Sequence, residues 1–293
     1  MTPRIRPSTF SIVACDLEAE EWGVAVASKF LAVGSVVPFV RAGDGAVATQ
    51  AHVNTTFGPE GLELMALGYS AQDALDRLVS GDEGREHRQV GMVDGHGRSA
   101  TFTGEECYSW AGGRTGPGFA AQGNILTGPE VVDRMADAFE TRSGSLVDRL
   151  VDALWAGQQA GGDSRGRQSA AVYVAKPKGG YGGYSDRFVD LRVDDHPDPI
   201  PELRRLLELH KLYMFPTRDE DILPIDESTA RRIQDILRRS GLRSEAATGT
   251  YDSSTRKALE QLSGIENLEE RWRDGPEIDR VVLEFLGEKY GVK

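Results

Sequence analysis

The stretch that decides the fold is TFSIVACD (Thr9 to Asp16), a polar loop LEAEE (Leu17 to Glu21), then WGVAVASKF (Trp22 to Phe30). Two apolar, β-branched runs around a short polar loop read as an antiparallel hairpin. With a five-residue loop, Asp16 faces Trp22 and paired positions sum to 38, so Thr9 lies opposite Lys29. Directly opposed residues share a face, with Cβ atoms about 5 Å apart. Lys29 is the only charged residue between Glu21 and Arg41. A hydroxyl beside such an ammonium is a nucleophile beside its activator. The competing reading ends an edge strand at Lys29 and sends its amine into water, and a single β-bulge would turn it to the other face.

Outward from the hairpin, strand signals recur at Ser35 to Val40 and Gly45 to Gln50, and a helix follows with Pro59 in its first turn. Strands return at Gln89 to Val93, Ser99 to Thr103 and Phe119 to Asn124. Helical sequence runs from Pro129, an N1-type proline, to about Gln159, punctured near Ser143-Gly144. A last strand, Ser169 to Ala175, follows a Gly/Arg loop. Strands, helices, strands, helices and strand suit two sheets between helix layers better than alternating βαβ units. The predicted class is α+β, with a four-layer αββα sandwich over residues 9–197.

Composition changes near residue 198. Of 34 glycines, only six lie in 199–293, whereas that segment holds 35 of the 80 charged residues. Three prolines in Pro197 to Pro201 mark the junction, and 198–219 reads as linker and helix. Residues 220–293 read as a small all-α module. Ser228-Thr229 caps one helix, which stops at Gly241; another follows Ser253, and a last runs from about Pro276 to Tyr290.

Asp and Glu number 46 against 34 Lys and Arg, a net charge of −12. That argues against a nucleic-acid or anionic-membrane surface. Residues 1–15 lack the apolar run of a signal peptide, and Cys15 and Cys107 form no metal or disulfide pattern. The expectation is a cytoplasmic protein with no metal and no cofactor.

Further polar groups sit at strand ends. Gln50, His52 and Asn54 follow one strand, and Asn124 closes another. A side-chain amide at such a place can stabilise an oxyanion, or serve its own turn. Asp163, Arg165, Arg167 and Ser169 lead into the last strand. Asp163 and Ser169 can orient an amine, and the arginines can grip a substrate carboxylate; alternatively an Asp–Arg pair stiffens the loop.

The ordered blocks TFSIVACD, GVAVASKFLAVG, GAVATQA, GPEGLELMALG, AAQGNIL and GGDSRGRQSAAVYV resemble the family catalogued as domain of unknown function 1028, over about residues 8–195. The resemblance implies an Ntn-hydrolase-like sandwich. In such enzymes the first residue of the mature chain attacks an amide carbonyl and its own α-amine is the base. It assigns the nucleophile to Thr9 and sets Lys29 where proteasome-type relatives place a lysine. Asn124, Asp163 and Ser169 complete the expected catalytic set, with Gln50, His52, Asn54, Arg165 and Arg167 binding substrate. Residues 1–8 precede Thr9 and are expected to be a leader, since an amide nitrogen at Thr9 cannot accept a proton.

The block IQDILRRSGLRSEAATGTYDSSTRKALEQLSGIENLEER resembles a peptidoglycan-binding module. Together the resemblances imply an amidohydrolase acting on a small amide or short peptide, a cell-wall-derived one included. A peptidoglycan fragment is the second expected partner, and stacked sandwiches imply a homo-oligomer. The alternative is a non-catalytic binding or scaffold protein on the same fold.

Overall fold

Strand β1 (Thr9–Asp16) is buried on both faces, which is why apolar residues occupy nearly every position. In the computed structural model, which describes residues 9–292, it lies inside an antiparallel sheet. Its neighbours are β2 (Glu21–Ser28) and β8 (Phe119–Asn124); outside them lie β9 (Ser169–Ala175), β10 (Arg187–Val193) and β7 (Gly112–Gly116). The order is β10-β9-β2-β1-β8-β7. A second antiparallel sheet is built from β3 (Pro38–Arg41), β4 (Gly45–Ala51), β5 (Arg88–Asp94) and β6 (Ser99–Thr103), in chain order. The expected leader, residues 1–8, lies outside the described residues.

Alternation along β1 separates two buried faces. Val13 and Cys15 join Val24, Val26, Ala46, Ala48, Val93, Ala120 and Ala171 in an apolar layer between the sheets. Phe10, Ile12 and Ala14 point the opposite way. There α3 (Glu130–Thr141) and α4 (Leu146–Gln159) cover the six-stranded sheet. The far face of the second sheet is covered by α1 (Phe57–Ala66) and α2 (Ala71–Ser80), through Leu62, Met65, Leu75 and Leu78 on Val47, Val90 and Met92. The layers are helices, sheet, sheet, helices.

Several expectations are corrected. The hairpin pairs Asp16 with Glu21 and Thr9 with Ser28, one residue out of the predicted register. The loop has four residues, because Glu20 takes a left-handed conformation (φ 55°) that closes the turn early. Residues 33–35 form a 3₁₀ turn, and the third strand starts only at Pro38. β7 and β10 were not anticipated. Pro129 is the cap of α3 rather than its first helical residue.

The chain divides into two compact units between Leu207 and Glu208, inside helix α5 (Pro199–Met214). The second unit holds α6 (Glu227–Arg239), α7 (Ser253–Ile265) and α8 (Arg280–Tyr290) around Ile233, Ile236, Leu237, Leu259, Leu262, Leu283 and Leu286. Each helix starts on an aspartate: Asp226 accepts the Thr229 amide, Asp252 that of Thr255, and Asp279 that of Val281. Asp226, not Ser228-Thr229, is therefore the cap of α6. The last helix begins later than Pro276, because Glu277–Asp279 pairs as a short strand with Ile222–Pro224. The helical unit thus carries a two-stranded ribbon. Among the described residues no helix is long and apolar enough to cross a membrane.

Candidate functional site

The register of the large sheet aligns four polar residues in one row. Asn124 of β8 pairs with Thr9 of β1, Thr9 with Ser28 of β2, and Ser28 with Ser169 of β9. All four are at most 3% exposed. One row deeper lie Gln122 and Ser11, also paired. Facing them on the second sheet, Gln50 of β4 pairs with Gln89 of β5. Polar groups sealed between two sheets must largely satisfy one another, and these do, apart from Gln122 Oε1, which has no partner among the described residues. Gln122 Nε2 donates to Ser11 Oγ (2.7 Å), and Ser11 donates to Gln50 Oε1 (2.7 Å). Gln50 Nε2 donates to Gln89 Oε1 (2.8 Å) and to the Thr9 carbonyl (3.3 Å). Gln89 Oε1 also accepts from Asn124 Nδ2 (2.9 Å), and Gln89 Nε2 reaches Thr103 Oγ1 and the Gly123 carbonyl. Gly91 makes room: a Cβ there would sit 2.0 Å from Gln122 Oε1.

This network backs a cavity of about 280 Å³ lined by Thr9, Gln50, His52, Arg88 and an apolar wall. The Thr9 hydroxyl donates to Ser28 Oγ (3.3 Å). The strand exits beside it are bent at non-glycine residues with positive φ: Ala32 (52°), Ala51 (66°) and Ile125 (51°). For a β-branched residue such a conformation is costly and persists only when its surroundings enforce it. Ile125 is pinned by its amide on the Tyr108 carbonyl and its carbonyl on the Ser164 amide.

Lys29 is the main correction to the predicted site. The shifted register places it beyond the last pair, with an exposed side chain whose Nζ donates to the Arg167 carbonyl (3.2 Å). Its backbone amide is held by Asp163 Oδ2 (2.7 Å). Asp163 is also gripped by its own loop through the Arg165 amide, Nε and Nη2. Ser169 Oγ accepts the Val33 amide (3.1 Å) and donates to the Phe30 carbonyl (2.5 Å). The bonds of Asp163 and Ser169 thus go to the turn that forms one cavity wall. Arg167 pairs with Asp198 (2.5 Å). Asn54 Oδ1 accepts the Thr56 amide and hydroxyl, a turn that starts α1, and Asn54 lines a separate surface groove. His52 does line the Thr9 cavity, with its ring 5.2 Å from that of His87.

Sequence reasoning missed Ser28, Gln89, Gln122 and Arg88. The available signal was a glutamine inside an otherwise apolar strand, in AAQGN and RQVGMV. Neither thiol competes as a nucleophile: burial, with nearby carboxylates, pushes Cys15 up to about 11, and burial does the same for Cys107. Among the described residues no group of three or more His, Cys, Asp or Glu is placed to hold a metal ion.

Residues 9–203 match the model described as "Family of unknown function (DUF1028)", and residues 213–286 match one described as "Putative peptidoglycan binding domain". Among solved structures, the crystal structure of protein SPO2555 from Silicibacter pomeroyi, titled as a DUF1028 protein, is 34% identical with a TM-score of 0.65. The match covers 71% of this chain and 88% of that one. No curated protein matches. A family match that spans both sheets and every residue of the Thr9 row places this chain in the DUF1028 family.

Proposed function

We propose that the first unit is an amide hydrolase of the N-terminal-nucleophile type, with Thr9 as the attacking residue. The observation that carries the reading is the position of Thr9: on the wall of a cavity, in a row of buried hydroxyls and an amide. The helix–sheet–sheet–helix layering supports the same reading.

With Thr9 at the start of the chain, its α-amine can take the proton from Oγ1. An α-amine titrates near pH 8, well matched to proton transfer at neutral pH. Oγ1 then attacks the amide carbonyl. The C–N bond breaks, the leaving amine takes the proton from the α-ammonium, and an ester remains on Thr9. Water attacks that ester, giving its proton to the amine; the carboxylic acid leaves and Oγ1 is reprotonated. Ser28 holds the hydroxyl, and the amide network behind it keeps the wall rigid. Lys29 has no part in this scheme.

A small amide or short peptide fits the cavity. The match of residues 213–286 supports a wall-derived source and a peptidoglycan fragment as partner of the second unit. Action in the cytoplasm and a homo-oligomeric assembly belong to the same proposal. One observation favours the second reading, a non-catalytic binding protein: the Thr9 hydroxyl bonds another hydroxyl, not a basic side chain. Hydrolysis of a panel of N-acyl amino acids and dipeptides separates the two. A chain beginning at Thr9 is expected to cleave at least one, Thr9→Ser to retain activity, and Thr9→Ala to lose it while staying folded. No cleavage by any form leaves the binding reading.

A further inference from the structure

We infer that Arg88 is the specificity-determining residue of the Thr9 cavity, and that it selects small ligands joining an apolar group to a carboxylate. Phe30, Val33, Val36, Val37, Ala51 and Val53 make up the apolar wall, and Arg88 is the charged residue that completes the lining. Its backbone is fixed in the sheet opposite Ala51. Its guanidinium reaches the carbonyl of His52, another wall residue, through Nη1 (2.5 Å). Asp82 takes the Nε–Nη2 edge, with Nε to Oδ2 at 2.7 Å and Nη2 to Oδ1 at 3.5 Å. A guanidinium has five N–H donors in a fixed fork. These three contacts leave one donor on each terminal nitrogen. The side chain is 21% exposed, so it is held by protein without being sealed from a ligand. Such a preset, planar pair of donors suits a carboxylate, bound bidentately, at little further cost in order.

The volume bounds the ligand. About 280 Å³ is at the low end of small-molecule sites, which run from about 300 to 1,000 Å³. A glycan strand is excluded; a molecule the size of an N-acyl amino acid is not. An apolar group on the valine wall and a carboxylate on Arg88 would lay the connecting amide along the cavity that Thr9 lines. That last step rests on the hydrolase reading, whereas the carboxylate subsite rests on the wall alone.

The test is calorimetric titration of the full chain with N-acetyl-L-leucine and with its neutral counterpart N-acetyl-L-leucinamide. The acid is expected to bind roughly tenfold tighter or more, the size of a charge-assisted hydrogen-bond pair. Arg88→Gln should bring the acid down to the level of the amide, and Arg88→Lys should restore part of the preference. Equal binding of acid and amide by the wild type, no binding of either, or a preference that survives Arg88→Gln would overturn the inference. The first comparison needs no variant, so a poorly folded Arg88→Gln cannot decide it. If a chain starting at Thr9 cleaves no amide while the acid preference stands, the hydrolase reading falls and the subsite remains.

Discussion

The Thr9 cavity of the first unit and the core of the second hide their polar groups in opposite ways. Between the sheets of the first, the buried groups around Thr9 are neutral: hydroxyls of Thr9, Ser11 and Ser28, and carboxamides of Gln50, Gln89, Gln122 and Asn124. In the second, the buried polar groups are largely charged. Arg271, with its side chain 6% exposed, pairs with the fully buried Asp279 and donates to the carbonyls of Leu212 and Lys211. Asp221 pairs with Arg218 and Arg280, and Glu266 with Lys289. A neutral network costs less desolvation than an ionic one and does not change its charge near neutral pH. Titratable chemistry at the Thr9 cavity then falls to groups outside that network: His52 and Arg88 on the cavity wall and, in the proposed hydrolase, the α-amine of Thr9.

The largest effect should come from breaking the ionic side. Arg271→Ala leaves Asp279 buried without its cation, a change that costs about 3–5 kcal/mol. Hydrogen exchange should show lost protection in α8 and its preceding strand, with β1 and β8 unchanged. On the neutral side, Gln89→Leu removes the acceptor for Gln50 and Asn124 and a donor for Thr103 and Gly123. Gln50 Nε2 keeps the Thr9 carbonyl and Thr103 is only half-buried, so about one group is left fully unsatisfied and a loss of roughly 1–3 kcal/mol in urea unfolding is expected. Protection loss confined to the first unit would confirm that the two networks are separate.

Acid sharpens the contrast. The Thr255 amide, with the Ser254 and Thr255 hydroxyls, lowers Asp252 from 3.8 to about 2, and the Thr229 amide lowers Asp226. Depressed folded values mean both caps contribute above the ordinary carboxylate range, about pH 4, and are lost as pH falls through their lowered values, about 2 for Asp252. Circular dichroism with segment-resolved exchange should therefore find α6 and α7 loosening over that window, ahead of β1. The smallest effect is expected at Lys29. Lys29→Ala should change stability by less than about 0.5 kcal/mol and leave amide cleavage intact, whereas a large loss of cleavage would return Lys29 to the site.

The sequence made the strands of the hairpin legible through the apolar, β-branched runs around a polar loop, and the Thr9, Asn124 and Ser169 strand ends with them. It could not give the register, since that hinged on whether Glu21 belongs to the loop or the strand. One residue decided whether Lys29 or Ser28 faced Thr9. β7 escaped because GGRTG has no apolar alternation; its glycines are required by neighbours such as the Phe119 ring, which a Cβ on Gly116 would meet at 2.3 Å. Arg88 escaped because a charged residue at a strand start reads as solvent-facing until its partners, Asp82 and the His52 carbonyl, are brought to it by the fold.

The central claim is that the Thr9 hydroxyl becomes nucleophilic when its own amine is free, and acyl transfer from p-nitrophenyl acetate tests it without knowledge of the substrate. Three species are compared: a chain beginning at Thr9, the same chain with Thr9→Ala, and the chain with residues 1–8 retained. Rapid release of nitrophenolate and an acetyl mass increment on the Thr9 peptide are expected for the first species alone, with a rate rising through the α-amine range near pH 8. Equal labelling of Thr9 with residues 1–8 in place, or equal release by Thr9→Ala, would contradict it.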